Sequence, residues 1–358
     1  MVAHPEHRGW VRGQRRSTAV TVPDVDITAF DAEAPDKPRF IHAGLAPSDR
    51  AFNGVSTVIG VLVLVLTAAI GFFLALQLIP TIKHYGFSFF TETDWNPDQN
   101  KLGVAAALFG TVEIGLIALA IAFPLALCTA LFITEFAPRR IKATLVSLVD
   151  LMAAVPSIVY GLWGFFLLQP HVLGLSRWLA EYFGWIPFLS VDTDAHSATW
   201  AETQFTASAF IAGIAVAMMV TPLTCAVMRG VFAQAPIGER EAALALGSTK
   251  WGVIRTVVLP FGRGGIIGGT MLGLGRALGE TIAVLLIISL VYKVNIHALQ
   301  VGAITTSSLI ADRFGDSTSL QLKALLAAGF VLFALTLVVN TIAGMIVTRS
   351  RSGAATEI

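Results

Sequence analysis

Six apolar stretches, each long enough to cross a hydrocarbon layer as a helix, dominate this sequence and leave it few possible folds. They run approximately over residues 54–82, 103–134, 143–168, 205–228, 264–291 and 324–347. A spanning helix needs roughly 20 apolar residues. Within lipid no water satisfies a backbone N–H or C=O, so such stretches must close their hydrogen bonds as helices. The expected fold is all-α, a polytopic membrane protein with six transmembrane helices. Charged residues make up only 13% of the chain, against roughly 25% in soluble domains. A water-soluble enzyme is excluded on that ground.

The spanning domain is expected over 53–349, flanked by tails at 1–52 and 350–358. The N-terminal tail is polar, carries five prolines and charges of both signs, and reads as disordered. Its Arg12, Arg15 and Arg16 either touch anionic lipid or only help to fix topology. No short basic segment with an apolar core precedes the first span, so that helix itself is expected to direct insertion. With the termini inside, seventeen Lys and Arg fall on the inner side and six on the outer. Positive residues stay in the cytoplasm, so both termini are expected there. Pro124, Pro156 and Pro222 lie within spans and are expected to kink them.

Cys128 and Cys225 sit in apolar stretches and form neither a disulfide framework nor a zinc spacing. The outer segment 169–204 carries Trp178, Tyr182, Phe183 and Trp185, residue types that settle at a membrane interface. Asp192, Asp194, His196 and Glu202 follow at irregular spacing, which fits a solvated loop facing an extracytoplasmic partner better than a metal site.

The connection at 229–263 is the most informative loop. After Pro236, a good first-turn residue, come alanines and leucines that favour helix. Glu239 and Glu241 complement the positive N-terminal end, and Gly247 stops the helix. A turn and a return to the membrane at Pro260 are expected. The stretch resembles the EAA motif of ABC-importer membrane subunits: Glu241, Ala242, Ala243, Gly247, Leu259 and Pro260 match, while Val257 stands where the motif has Ile. The resemblance implies a type I ABC importer permease fold. It also implies that this short cytoplasmic helix is a coupling helix, its small residues lying close against an ATPase and passing on that partner's motion.

The fifth span holds Arg276 and Glu280, four residues apart and therefore on one helix face. Counted from Gly264, Arg276 is about 18 Å deep at 1.5 Å per residue. Charges in a span are expensive unless paired or facing water. They read either as a buried pair that fixes packing, or as a pathway element. In the second reading Arg276 presents a fork of donors to an oxyanion, and Glu280 compensates it when the pathway is empty. Glycines four apart at 264/268, 265/269, 269/273 and 275/279 permit close helix approach, at a subunit interface or within the chain. Glu113 and Asp150 are weaker pathway candidates, either lining the cavity, pairing with Arg276 or buried in protonated form. Thr221, Pro222 and Asn340 read as packing features, and the outer segment 295–321 as chemically mixed.

The run from Gly275 to Thr281, together with Val-Pro-Ser-Ile-Val-Tyr-Gly-Leu-Trp-Gly at 155–164, resembles the PstC family of phosphate-specific ABC permeases. The likeness covers roughly 53–349. It implies inorganic phosphate as substrate and Arg276 and Glu280 as pathway residues. It further implies a second permease subunit (PstA-like), a cytoplasmic ATPase dimer (PstB-like) and an extracytoplasmic phosphate-binding protein (PstS-like). This chain has no phosphate-binding Gly-Lys-Ser/Thr loop and no protease or esterase motif. It is therefore read as a transport subunit and not an enzyme, with no cofactor of its own and ATP used by the partner. A permease for sulfate or molybdate, or an ion-coupled secondary transporter, are the competing functions.

Overall fold

The computed structural model describes residues 47–99, 101–191 and 202–350. The N-terminal tail before Pro47, residues Asp192, Asp194 and His196 of the outer segment, and residues 351–358 lie outside that set. The chain divides into two compact units at Val61. The described part of the first is the opening of α1 (Pro47–Tyr85), whose Val55, Val58 and Ile59 are exposed apolar side chains. Everything that follows belongs to the second unit.

After the rest of α1 come α2 (Ser88–Thr91) and a small antiparallel hairpin, β1 (Trp95–Asn96) against β2 (Lys101–Leu102), with Trp95 opposite Leu102. Helix α3 (Ala105–Leu131) follows, then α4 (Arg139–Ala154), α5 (Ser157–Trp163), α6 (Gln169–Phe183) and α7 (Ala209–Phe232). The chain continues through α8 (Ile237–Ala245), α9 (Lys250–Val253), α10 (Leu259–Leu278), α11 (Ile282–Ile287), α12 (Thr306–Arg313) and α13 (Ser319–Ser350).

Six stretches of helix are long and apolar enough to span: Pro47–Tyr85, Ala105–Phe136, Ser157–Phe183, Ala209–Phe232, Lys250–Leu278 and Ser319–Val347. The count matches the sequence reading, and two of the positions do not. The third span begins at Ser157, not near residue 143, because Val155 adopts φ −65°, ψ 130° and Pro156 follows in extended geometry. A residue before proline is pushed out of the helical region, so the chain is cut there instead of kinked. The span then extends through the stretch read as loop, and Trp178, Tyr182 and Phe183 lie on its far end. The fifth span begins at Lys250 and stops at Leu278, whereas one helix over 264–291 was expected. Pro124 and Pro222 do lie inside helices.

Three of these helices change pitch where a proline approaches. The turns Phe132–Phe136, Gly164–Leu168 and Ile254–Val258 are π-helical, and each ends two residues before Pro138, Pro170 or Pro260. In each, the residue just before the proline donates five residues back: Ala137 to Phe132, Gln169 to Gly164, Leu259 to Ile254. A proline ring clashes with the carbonyl four residues earlier. Widening the preceding turn relieves that clash: α5 continues into α6 through Pro170 and α9 into α10 through Pro260 as one rod, whereas the second span ends at Ala137, which is extended before Pro138.

The centre of the second unit is the packing of α3 on α7. Ala118, Ala122, Ala126 and Ala130 recur every four residues on α3 and are almost wholly buried, as are Ala209, Ala212 and Ala215 on α7. Small side chains let the two backbones approach, and dispersion supplies the attraction that lipid does not. Gly213 is so close to α3 that a Cβ there would lie 2.4 Å from Ile117. Helix α10 packs on the same α7 through its glycines. A methyl at Gly265 would meet Val231 at 2.5 Å, and one at Gly273 would meet Thr224 Oγ1 at 2.4 Å. The glycine face at 265, 269 and 273 is thus occupied within the chain, the second of the two readings open at the sequence level.

Candidate functional site

Two places carry the chemistry singled out in the sequence. The first is the connection after α7. Pro236 caps α8 with extended geometry, and Glu239 lies in its first turn. The helix ends in a Schellman arrangement: Gly247 has φ +85°, its N–H donates to the Leu244 carbonyl, and the Ser248 N–H reaches back to the Ala243 carbonyl. Glycine alone takes that backbone region without a steric cost. Glu241 and Ala242 are exposed, while Ala243 packs on the cluster around Val253 and Ile254. Ile237 is 72%, Leu246 89% and Trp251 59% exposed. Isolated apolar side chains on a surface need no explanation, but several along one short connection, here α8, its C-terminal cap and α9, mark a contact face. Leu259 and Pro260 do not re-enter from a loop as expected; they lie inside the Lys250–Leu278 rod, next to its π turn.

The second place is the end of α10. Four residues of continuous helix would put Arg276 and Glu280 side by side, but the helix stops at Leu278, and α11 starts at Ile282. Among the described residues the two form no ion pair with one another. Arg276 is exposed in the last turn of α10, where a cation suits the negative end of the helix. Glu280 is 8% exposed; its Oε1 accepts the Ala283 N–H at 3.3 Å, capping α11. Its carbonyl accepts the Ser307 hydroxyl at 2.7 Å. The break therefore gives each charge its own helix end.

Around this break the two motif stretches meet. A Cβ at Gly161 of α5 would lie 2.8 Å from the Ala283 Cα of α11, and one at Gly164 would lie 2.5 Å from Ile287. Tyr160, whose hydroxyl donates to the Met152 carbonyl at 2.8 Å, lies within electrostatic range of Arg276. Beneath the break is a buried hydroxyl cluster that went unnoticed in the segment 295–321. Thr305 and Ser308 form a capping box on α12, and the Thr306 N–H donates to Thr111 of α3 at 2.9 Å. The run Thr305-Thr306-Ser307-Ser308 is itself the signal, since hydroxyl residues gather at helix starts.

The remaining candidates have other surroundings. Glu113 of α3 is 5% exposed with Oε1 lacking a hydrogen-bond partner. Asp150 does not lie in a span and does not pair with Arg276. It sits on α4, ahead of the chain break at Pro156, and accepts from Arg229 Nη2 at 3.0 and 3.4 Å. The Asn340 side chain lies against Gly275.

This arrangement of spans, projecting helix and broken fifth span defines a membrane permease of the ABC-importer class. The chain matches the model of the family described as binding-protein-dependent transport system inner membrane component over residues 122–352, and it belongs to that family. It is a multi-pass membrane transport subunit and not an enzyme.

Curated PstC proteins are among its relatives. It is 38% identical over 314 residues to the phosphate transport system permease protein PstC 2 of Mycobacterium tuberculosis, covering 86% of this chain and 95% of that one. Identity is 38% to the PstC of Xylella fastidiosa strain Temecula1 (80% and 89% covered) and 40% to that of Mycobacterium leprae (76% and 84%). Among solved structures, an inward-facing MetNI methionine ABC transporter is similar at TM-score 0.49 and 13% identity, over 68% of this chain and 94% of that one.

Proposed function

We propose that this chain is the PstC-type permease of an ATP-driven phosphate importer and forms the phosphate pathway together with a PstA-like second permease. The observation that carries this reading is the break after α10. Arg276 is left exposed and without an ion-pair partner among the described residues, at the end of a spanning helix, within one of the two stretches that resemble phosphate permeases and near the other. An exposed guanidinium is tolerated at such a position only where it faces a water-filled cavity or another subunit. Its five donors then remain free for the oxygens of a phosphate. The curated relatives carry phosphate transport in their names, which supports the same substrate.

Energy enters through α8. Ile237 at its start, Leu246 just past its end and Trp251 of the following α9, all exposed, together with the small residues Ala242 and Ala245 of α8, form a face suited to a groove on a cytoplasmic, PstB-like ATPase dimer, with the termini on the same side. A PstS-like protein delivers phosphate from outside.

The test is phosphate uptake into proteoliposomes holding the assembled complex, with sulfate as competitor. Uptake that needs ATP and ignores sulfate is the expected result. Transport of sulfate in place of phosphate would keep the ATP-driven permease and reassign its substrate. Uptake without the ATPase would remove the coupling role of α8 altogether.

A further inference from the structure

The last three residues of the π turn that closes the second span each receive a cation, and each cation comes from a different element. Lys142 of α4 donates to the Thr134 carbonyl at 3.3 Å. Arg240 of α8 places Nη1 3.0 Å from Glu135 Oε1 and 3.2 Å from Oε2. Lys250, opening α9, holds its ammonium 6.0 Å from the centre of the Phe136 ring.

Arg240 makes the firmest of these links, because it holds two helices at once. Its Nη2 also donates to the Phe232 carbonyl, the last residue of α7, at 2.6 Å. The paired side chains are only 22% and 12% exposed, so solvent screens them little. Charge-assisted contacts in such surroundings are stronger than surface pairs, and losing one partner leaves the other charge buried alone. Glu135 and Arg240 are 105 residues apart in sequence, so this link is tertiary and not a property of the loop.

We propose that Arg240 is a positioning residue that makes α8 the common handle of the second and fourth spans. Helices α3 and α7 already interlock through their alanine faces and Gly213. Arg240 fastens α8 to the ends of both, so a displacement of α8 moves the pair as one body and does not merely flex the turn at residues 233–236. The inference rests on reading α8 as the coupling helix.

The experiment reconstitutes the full complex and measures phosphate moved per ATP hydrolysed. Arg240→Gln, Glu135→Gln, the double variant, and the charge swap Arg240→Glu with Glu135→Arg are compared with wild type. Each single variant is expected to lower the ratio about tenfold while hydrolysis continues, and the double variant to be no worse than Arg240→Gln alone, since Glu135 acts only through the ion pair that Arg240→Gln already removes. The swap is expected to recover part of the ratio, as it restores the ion pair but not the Phe232 contact.

An unchanged ratio in Arg240→Gln overturns the proposal, as do effects that multiply in the double variant. Failure of Arg240→Gln to assemble, with no recovery in the swap, also overturns it by showing a role in folding alone. If wild type itself takes up no phosphate with ATP, the importer reading fails and this inference with it. Wild-type uptake beside an unaffected Arg240→Gln sinks only the inference.

Discussion

Arg276 and Glu280 stand four residues apart, yet the chain gives them separate tasks, and each predicts a different mutant. Arg276 makes no hydrogen bond or ion pair among the described residues, so Arg276→Gln should leave insertion and assembly intact while abolishing phosphate uptake. Normal uptake in that variant would return Arg276 to a packing role. Glu280 caps α11 through its carboxylate oxygen. Glu280→Gln keeps an acceptor and should preserve stability, whereas Glu280→Ala should cost about 1 kcal/mol, as lost N-terminal caps do. Thermal unfolding of the detergent-solubilised complex separates the two. Asp150→Asn breaks a half-exposed pair with Arg229 worth at most about 1 kcal/mol, and the apparent KM for phosphate should not change. These residue types were legible in the sequence, because charges inside apolar stretches stand out. Their partners were not: pairing by helical spacing presumes an unbroken helix, and Arg229 is 79 residues from Asp150.

At the scale of elements, α8 was readable nearly to the residue. Proline, alanines and a terminal glycine act within one or two turns, and local chemistry decides the outcome. Gly247 has open space around it but φ +85°. Gly247→Ala should therefore cost about 1–2 kcal/mol of backbone strain, fraying the end of α8. The expected readout is a fall in ATP-coupled uptake with normal membrane insertion; unaltered uptake would show that the shape of this turn is not needed for coupling. The misplaced third and fifth spans have a single cause. Hydropathy reports how apolar a stretch is, and it does not report whether a proline cuts a helix, as Pro156 does, or is absorbed by a widened turn, as Pro260 is. Nor does it mark the break at Gly279, where Glu280 caps α11 and its carbonyl accepts the Ser307 hydroxyl.

Across the whole molecule, the α3–α7 pair is the frame on which α10, α4 and α8 are hung. Replacing Gly273 with valine would drive its side chain into Thr224 and Val220. Overpacking of this kind costs about 1–3 kcal/mol, and the yield of intact complex should drop accordingly. The side of the membrane on which α8 lies, proposed to be the cytoplasmic one, can be read by labelling. A cysteine at Glu239 should react with a membrane-impermeant maleimide only in inverted vesicles, and one at Trp185 only in right-side-out cells; the reverse pattern would invert the topology.

The sequence by itself determined that the chain crosses a membrane six times, that a short helix follows the fourth span, and which charges lie in apolar surroundings. Each of these is fixed by composition and by neighbours within a turn or two. The tertiary structure decided where the fifth span ends and what the glycines pack on. It also decided that Arg276 stands apart from Glu280 and that Arg240 reaches the far end of the second span. Those outcomes depend on which helices come within a few ångströms of each other, and contacts between residues a hundred positions apart leave no periodicity in the sequence to be read.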